Sequence, residues 1–436
     1  LLVIKAKAHP FVALLIVSLL VAFATGIPAD KIITTIEKGM GGLLGHIASI
    51  IILGSMLGVL IEISGGAESL AKTLTGVLGS KRTIAALTIV AFILGTPVFF
   101  EVGFIIIIPL IYGFSKVAHM SPLKFGLPMA GVMLTVHVAL PTHPGAAAAA
   151  GILHSDVGWL MLAGIGVSVV VGIVGYFVAR SINQRHYHLS INVLEQQQTA
   201  EVPDLSVNAQ QTRLAPPNAL VIGGLIVVPI VLIVSGTLCQ ALLLPENAIR
   251  QLMTVIGTPP VALLISLGLA SWTLGIRRGM NLKKLGEVTG SAIPSSADVI
   301  LVAGAGGAFG GVLVASGIGN ALAEALETIH LPLMPAAFLL SLVLRASQGS
   351  ATVAILTTSG LLSQAVAGLE PLQLVLVTLA TCFGSLGLSH VNDAGFWVVT
   401  RYLGLSVPDG LKTWTVLTTI MGVTGFLITW LLWFLL

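Results

Sequence analysis

Arg345-Ala346-Ser347-Gln348-Gly349-Ser350-Ala351-Thr352-Val353 is the stretch that decides the fold. It lies between two apolar runs, residues 336–344 and 354–362. Its small and polar residues interrupt what would otherwise be a spanning helix. In hydrocarbon, backbone that leaves the helix must be buried in protein or face water. The stretch therefore reads as the tip of a re-entrant hairpin over residues 333–362, two half-helices that enter the membrane and leave on the same side. Ser347, Gln348, Ser350 and Thr352 supply donors and acceptors there. The half-helix N-terminus after Gly349 favours an anion. Discontinuous helices of this kind form the substrate sites of many transporters.

Composition agrees with a membrane setting. The chain is 56% hydrophobic and 8% charged, whereas soluble domains carry about 25% charged residues. This is an all-α polytopic membrane protein. The net charge of +3 needs no nucleic acid to explain it, because Lys and Arg gather in a few loops. Cys239 and Cys382 give neither a disulfide framework nor zinc spacing. The chain begins at Leu1, directly before Lys5 and Lys7, and an N-terminal spanning helix is expected to be truncated.

Spans of about 20 mostly apolar residues are expected near residues 10–27, 41–63, 126–140, 158–179, 219–242, 258–274, 297–315, 372–388 and 414–436. A second split region covers residues 84–117, broken at 95–103. Residues 181–217 form a polar linker between two halves, 1–180 and 218–436. The halves share a register: Gly54/Gly306, Gly58/Gly310, Ser64/Ser316, Gly65/Gly317, Leu70/Leu322 and Ala71/Ala323 coincide. Continuing it brings the two hairpin tips into correspondence. It also brings Pro141-Thr142-His143-Pro144-Gly145 close to Val391-Asn392-Asp393-Ala394-Gly395. Three features in one order make an internal repeat, with a broken helix in each half over residues 126–153 and 372–402.

Charge tests this arrangement. If both split regions are hairpins that do not cross, basic residues from Lys5 and Lys7 to Arg401 and Lys412 fall on one side. Only Lys31, Lys38 and Arg250 fall on the other, with Arg345 in a tip. Positive charge marks the cytoplasm. The linker is then cytoplasmic, the C-terminus periplasmic, and the two hairpins enter from opposite faces. The plainer alternative is a pair of ordinary spans with irregular middles.

Four polar constellations follow. The first tip, Gly95-Thr96-Pro97-Val98-Phe99-Phe100-Glu101-Val102-Gly103, holds a helix-breaking proline and an acid in an apolar setting. Glu101 is a functional candidate by default, either taking up and releasing a proton or paired with Arg345 or His137. The stretch Thr135–Gly145 carries His137, Thr142 and His143 among two prolines. Here a donor or proton relay competes with a packed histidine, and no third residue completes a metal site. Ser389-His390-Val391-Asn392-Asp393 matches it in the second half. Asp393 is a second candidate for protonation or a helix cap, and Asn392 suits hydroxyl recognition. Arg345 could hold a carboxylate bidentately or pair with Glu101 or Asp393.

These residues resemble the gluconate permease (GntP) family of bacterial inner-membrane symporters. The resemblance rests on Phe99-Phe100-Glu101-Val102-Gly103-Phe104, His137 with Pro141-Thr142-His143-Pro144-Gly145, Gly304-Ala305-Gly306-Gly307-Ala308-Phe309, Gly349-Ser350-Ala351-Thr352-Val353-Ala354, and Ser389-His390-Val391-Asn392-Asp393-Ala394-Gly395-Phe396-Trp397. It implies proton-coupled uptake of gluconate or a related hydroxy acid, with one branch taking D-serine. It also implies the ion-transporter superfamily fold of two inverted-topology repeats, each with a re-entrant hairpin and a broken helix, in a homodimer working by an elevator motion. Gluconate members often have two prolines before the second histidine, where this chain has Pro141-Thr142.

The expectation is therefore a proton symporter for a small hydroxy-carboxylate, without enzymatic activity, cofactor or metal. Thr96, Thr142, His143, Arg345, Ser347, Gln348, Gly349, Ser350, Thr352 and Asn392 are the substrate-binding candidates. Glu101, Asp393, His137 and His390 are the proton-coupling candidates. Sodium coupling, with Na⁺ held by tip carbonyls and Asn392, is the nearest rival. An intramembrane hydrolase would need a His-Glu-x-x-His or Gly-x-Ser-x-Gly signature, and neither occurs. A passive channel suits two opposed hairpins less well.

Overall fold

A computed structural model describes residues 8–79, 82–199, 217–318, 328, 331–391 and 393–436. Among these residues the fold is entirely helical. The first half comprises α1 (Pro10–Ala24), α2 (Ala29–Ile63), α3 (Gly66–Leu78), α4 (Thr83–Gly95), α5 (Phe100–Val117), α6 (Pro122–Ala139), α7 (Pro144–Leu153) and α8 (Val157–Ile182). A short α9 (Ile191–Thr199) follows. The second half comprises α10 (Ala219–Leu242), α11 (Ala248–Ile256), α12 (Pro259–Arg278), α13 (Leu282–Gly290) and α14 (Ile293–Ser316). It continues with α15 (Leu333–Gln348), α16 (Ala351–Leu362), α17 (Pro371–Leu386), α18 (Ala394–Tyr402) and α19 (Val407–Trp433). Seven stretches among the described residues are long and apolar enough to cross a membrane, one of them α6 and α7 taken together.

Helix boundaries follow local chemistry. Ser121 caps α6, Asp156 caps α8, and Asn218 caps α10, each accepting from a backbone N–H of the first turn. Pro122, Pro144 and Pro371 sit at helix starts, where the missing N–H is not needed.

The first hairpin is α4–α5. Its outer ends meet: Ile84 at the start of α4 and His119 and Met120 after α5 line one cavity with Lys124 of α6 and Arg180 of α8. The Gln197 side chain of α9 donates to the Met120 carbonyl at 3.0 Å, so this end is the linker face. Gly95 packs closely on Met133. Arm α4 and broken helix α6–α7 thus run side by side, away from the linker face.

The second hairpin, α15–α16, is arranged the other way round. Gly384 of α17 lies against Phe338 and Ser341 of α15, and Arg345 further along α15 reaches Asp393 beyond α17. Arm α15 and broken helix α17–α18 therefore run in parallel too. The end of α18 is at the linker face, because the Gly404 carbonyl just beyond it accepts from the Ser190 N–H at 2.9 Å. This pair thus runs toward the linker face. At 16 and 12 residues, α15 and α16 are about 24 and 18 Å long. Each is short of a hydrocarbon core about 30 Å thick. The repeats have opposite topology, as the charge distribution requires.

Two boundaries differ from the sequence reading. Helix α2 begins at Ala29, not near residue 41, and runs 35 residues. Its polar first turns continue as helix because Gly39 meets α14: a Cβ there would come within 2.5 Å of the Gly307 carbonyl oxygen. Small residues let two backbones approach this closely. Helix α8 runs on to Ile182, two residues into the stretch 181–217, and α9 lies within that stretch.

Candidate functional site

Each break has a physical cause. The first hairpin turns at Thr96–Phe99, where Pro97 interrupts the ladder and Phe99 is extended at φ −57°, ψ 144°. The second turns on Gly349 at φ +86°, a left-handed conformation suited to glycine. Ser350 then caps α16 by accepting from the Val353 N–H at 3.3 Å. Helix α6 ends at Ala139 and α7 begins after an extended His143. Helix α17 ends at Leu386, and Asp393 caps α18 by accepting from the Gly395 N–H at 3.0 Å.

The two halves repeat one contact. In the first break the His143 Nε2 lies 2.7 Å from the Gly95 carbonyl oxygen at the end of arm α4. In the second the His390 Nε2 lies 2.9 Å from the Ala346 carbonyl oxygen near the end of arm α15. Each histidine thus donates to a carbonyl of the neighbouring hairpin arm. The Nε2–H tautomer follows from that partner.

At the centre is an ion pair. Arg345 and Asp393 are 2% and 5% exposed. The Arg345 Nη2 lies 2.5 Å from the Asp393 Oδ2. Arg345 also donates through Nη1 to the Gly349 carbonyl, fastening the hairpin tip. The same Asp393 oxygen accepts from the Ser389 hydroxyl. That hydroxyl accepts in turn from the Trp414 Nε1 at 2.7 Å. Trp414 is fully buried in the π-turn Leu411–Thr415 of α19 and stacks on Phe100 at 5.8 Å between centroids. A chain of donors therefore runs from α19 through the second break to the second tip. Charges this deeply buried persist only when paired and hydrogen-bonded.

The first tip faces this centre. Glu101, in the first turn of α5, is partly buried and lies within electrostatic range of both Asp393 and Arg345. Of the two partners open to Arg345 in the sequence, the structure gives it Asp393. The His137 and His143 rings lie 4.6 Å apart with Phe99 6.2 Å from each. His137 is also within electrostatic range of Arg345. Several buried polar atoms here have no partner among the described residues: His137 Nδ1, His143 Nδ1, Thr142 Oγ1, Arg345 Nε and Gln348 Nε2. Thr352 packs against Gly145, closing the gap between α7 and α16.

Other candidates sit differently. The Thr96 hydroxyl is turned back to the Phe92 carbonyl at 3.3 Å. Ser347 is exposed, and its hydroxyl donates to the Leu344 carbonyl at 3.0 Å. Asn392 lies outside the described residues. Trp414 and Ser389 are site residues that the sequence reading does not single out. The Ser389-x-x-x-Asp393 spacing carried the only signal for the latter. Among the described residues no three or more His, Cys, Asp or Glu group as metal ligands.

A helical membrane protein with two opposed hairpins meeting two broken helices at a buried charged centre is a secondary transporter in architecture. The family model for GntP family permease matches residues 1–435, and the chain belongs to that family. It is a permease, not an enzyme. The Escherichia coli inner membrane permease YgbN is 61% identical over 433 residues, covering 99% of this chain and 95% of that one. A gluconate permease of Bacillus subtilis is 37% identical over 433 residues, covering 97% and 94%. The fold is shared with Neisseria gonorrhoeae MtrF, described among antimetabolite efflux pumps, at a TM-score of 0.67 and 14% identity, covering 96% of this chain and 94% of that one.

Proposed function

We propose that the protein imports a gluconate-like hydroxy-carboxylate by proton symport across the bacterial inner membrane. The observation that carries this reading is a buried Arg345–Asp393 pair with a further carboxylate, Glu101, within electrostatic range of both. With both acids ionised the triad has net charge −1, and a substrate carboxylate adds another. Uncompensated charge at this depth is strongly unfavourable. A proton on one acid cancels the charge the substrate adds and returns the site to −1, and if that acid is Asp393 it also frees guanidinium N–H groups for the substrate carboxylate. Substrate and proton then enter together.

The unpartnered donors and acceptors of Thr142, His143 and Gln348 suit a polyhydroxy chain. Relatives named gluconate permease support the substrate class. The linker face carries Lys124, Arg180 and Arg185, which supports a cytoplasmic linker and a periplasmic C-terminus. Two opposed hairpins beside antiparallel broken helices suit alternating access, by the elevator motion expected above.

The test is uptake of labelled gluconate into proteoliposomes. An inward proton gradient without sodium is expected to drive accumulation. Accumulation with a sodium gradient alone, the proton gradient being collapsed, would replace the proton by sodium. No uptake of any sugar acid under either gradient would overturn the substrate class.

A further inference from the structure

A cavity at the linker face lies far from the charged centre. Its volume is about 810 Å³, and its wall carries Lys124, Arg180 and Arg185 together with His119, His186 and Asn183. Among the described residues no Asp or Glu lines it, and none of its three cations has an ion-pair partner. The Asn183 Oδ1 is buried and accepts from no donor among the described residues. The walls thus offer cationic donors for an anion and an acceptor for a hydroxyl.

The cavity continues into a groove of opposite character. The groove is lined by Ala85, Ile89 and Phe92 of α4, Val132 of α6, and Ile173 and Phe177 of α8, and Tyr176 lines both spaces. On each helix the order is the same. The polar cavity touches Ile84, Lys124 and Arg180 at the linker end, and the groove touches residues further from that end. Its volume is about 340 Å³. A charged pocket at the membrane surface leading into an apolar groove toward the midplane has the shape of an anionic lipid. Basic pockets between spanning helices bind lipid head groups by this electrostatics.

We infer that α4, α6 and α8 hold one anionic glycerophospholipid, its phosphoryl head on Lys124, Arg180 and Arg185 and an acyl chain along Ile89 and Phe177. The head-group glycerol hydroxyl reaches Asn183. Arm α4 carries the first hairpin tip, so the lipid sets how that arm rests on α6 and α8.

The experiment is native mass spectrometry of the full chain, purified in detergent after incorporation into nanodiscs of equal phosphatidylglycerol and phosphatidylcholine. The wild type is expected to retain phosphatidylglycerol in preference to phosphatidylcholine. A variant combining Lys124→Gln, Arg180→Gln and Arg185→Gln is expected to lose that preference by about a hundredfold, from three cations at the surface. The matched variant Lys124→Arg, Arg180→Lys and Arg185→Lys restores it, which separates charge from misfolding. Ala85→Trp fills the groove and is expected to lower phosphatidylglycerol retention with the cations intact. Equal retention of the two lipids by the wild type would overturn the inference, as would an unchanged preference in the Gln variant or in Ala85→Trp. Glycerol 1-phosphate in free solution binding as tightly as the lipid would mean a soluble anion site, and would also overturn it.

Discussion

Arg345 and Asp393, from the second hairpin tip and the second helix break, are joined at 2.5 Å in a setting almost closed to solvent. The pair fixes the tip against the broken helix. Removing one partner of a buried pair leaves an uncompensated charge and costs about 3–5 kcal/mol. Arg345→Met is therefore expected to lower the thermal midpoint in detergent sharply. The double variant Arg345→Met with Asp393→Asn, which leaves neither member of the pair charged and keeps the cap on Gly395, recovers most of that loss while transport stays absent. Simple additivity of the two single losses would contradict a direct pair.

Trp414 supports the pair from α19 through Ser389. Trp414→Phe keeps the stack on Phe100 and removes one N–H donor. Its expected cost is about 1 kcal/mol. Trp414→Ala also empties volume in a packed core and is expected to cost about 3–5 kcal/mol. Denaturant titration of both variants checks the ordering. Equal losses would mean that the hydrogen bond, not the packing, dominates.

Gly349 turns the second tip at φ +86°. A side chain in that conformation costs about 1–2 kcal/mol. Gly349→Ala is expected to lose stability by that amount and to weaken gluconate binding, because the Gly349 carbonyl anchors Arg345. Isothermal titration alongside thermal unfolding measures both. An unaltered affinity would place the substrate elsewhere.

His143 ties the first break to arm α4 through the Gly95 carbonyl. His143→Ala leaves a buried carbonyl without its donor, a cost of about 1–3 kcal/mol. Uptake by His143→Ala is expected to fall, with His143→Gln, which keeps a donor, in between. Wild-type uptake by the Ala variant would make the contact dispensable.

Much of this arrangement is legible in the sequence, for identifiable reasons. The apolar runs on either side of Arg345–Val353 and the glycine between them announce a hairpin, and the turn is narrower than expected, at Gly349 and Ser350. The first tip is also shorter: Glu101 and Gly103 lie inside α5, because only Pro97 breaks the helix. Periodicity does not extend α2 back to Ala29, since that depends on Gly39 packing against Gly307. Nor does spacing choose between Glu101 and Asp393 as the partner of Arg345. That choice is made by the parallel course of α15 and the second broken helix. Trp414 is invisible for a similar reason, because its two partners come from distant segments.

Glu101 tests the coupling most directly. In proteoliposomes, Glu101→Gln removes the acid within electrostatic range of the Arg345–Asp393 pair and with it the need for a co-transported proton. The variant is expected to lose accumulation of labelled gluconate driven by a proton gradient, while still exchanging internal for external gluconate. Accumulation at the wild-type level in that variant would contradict the account.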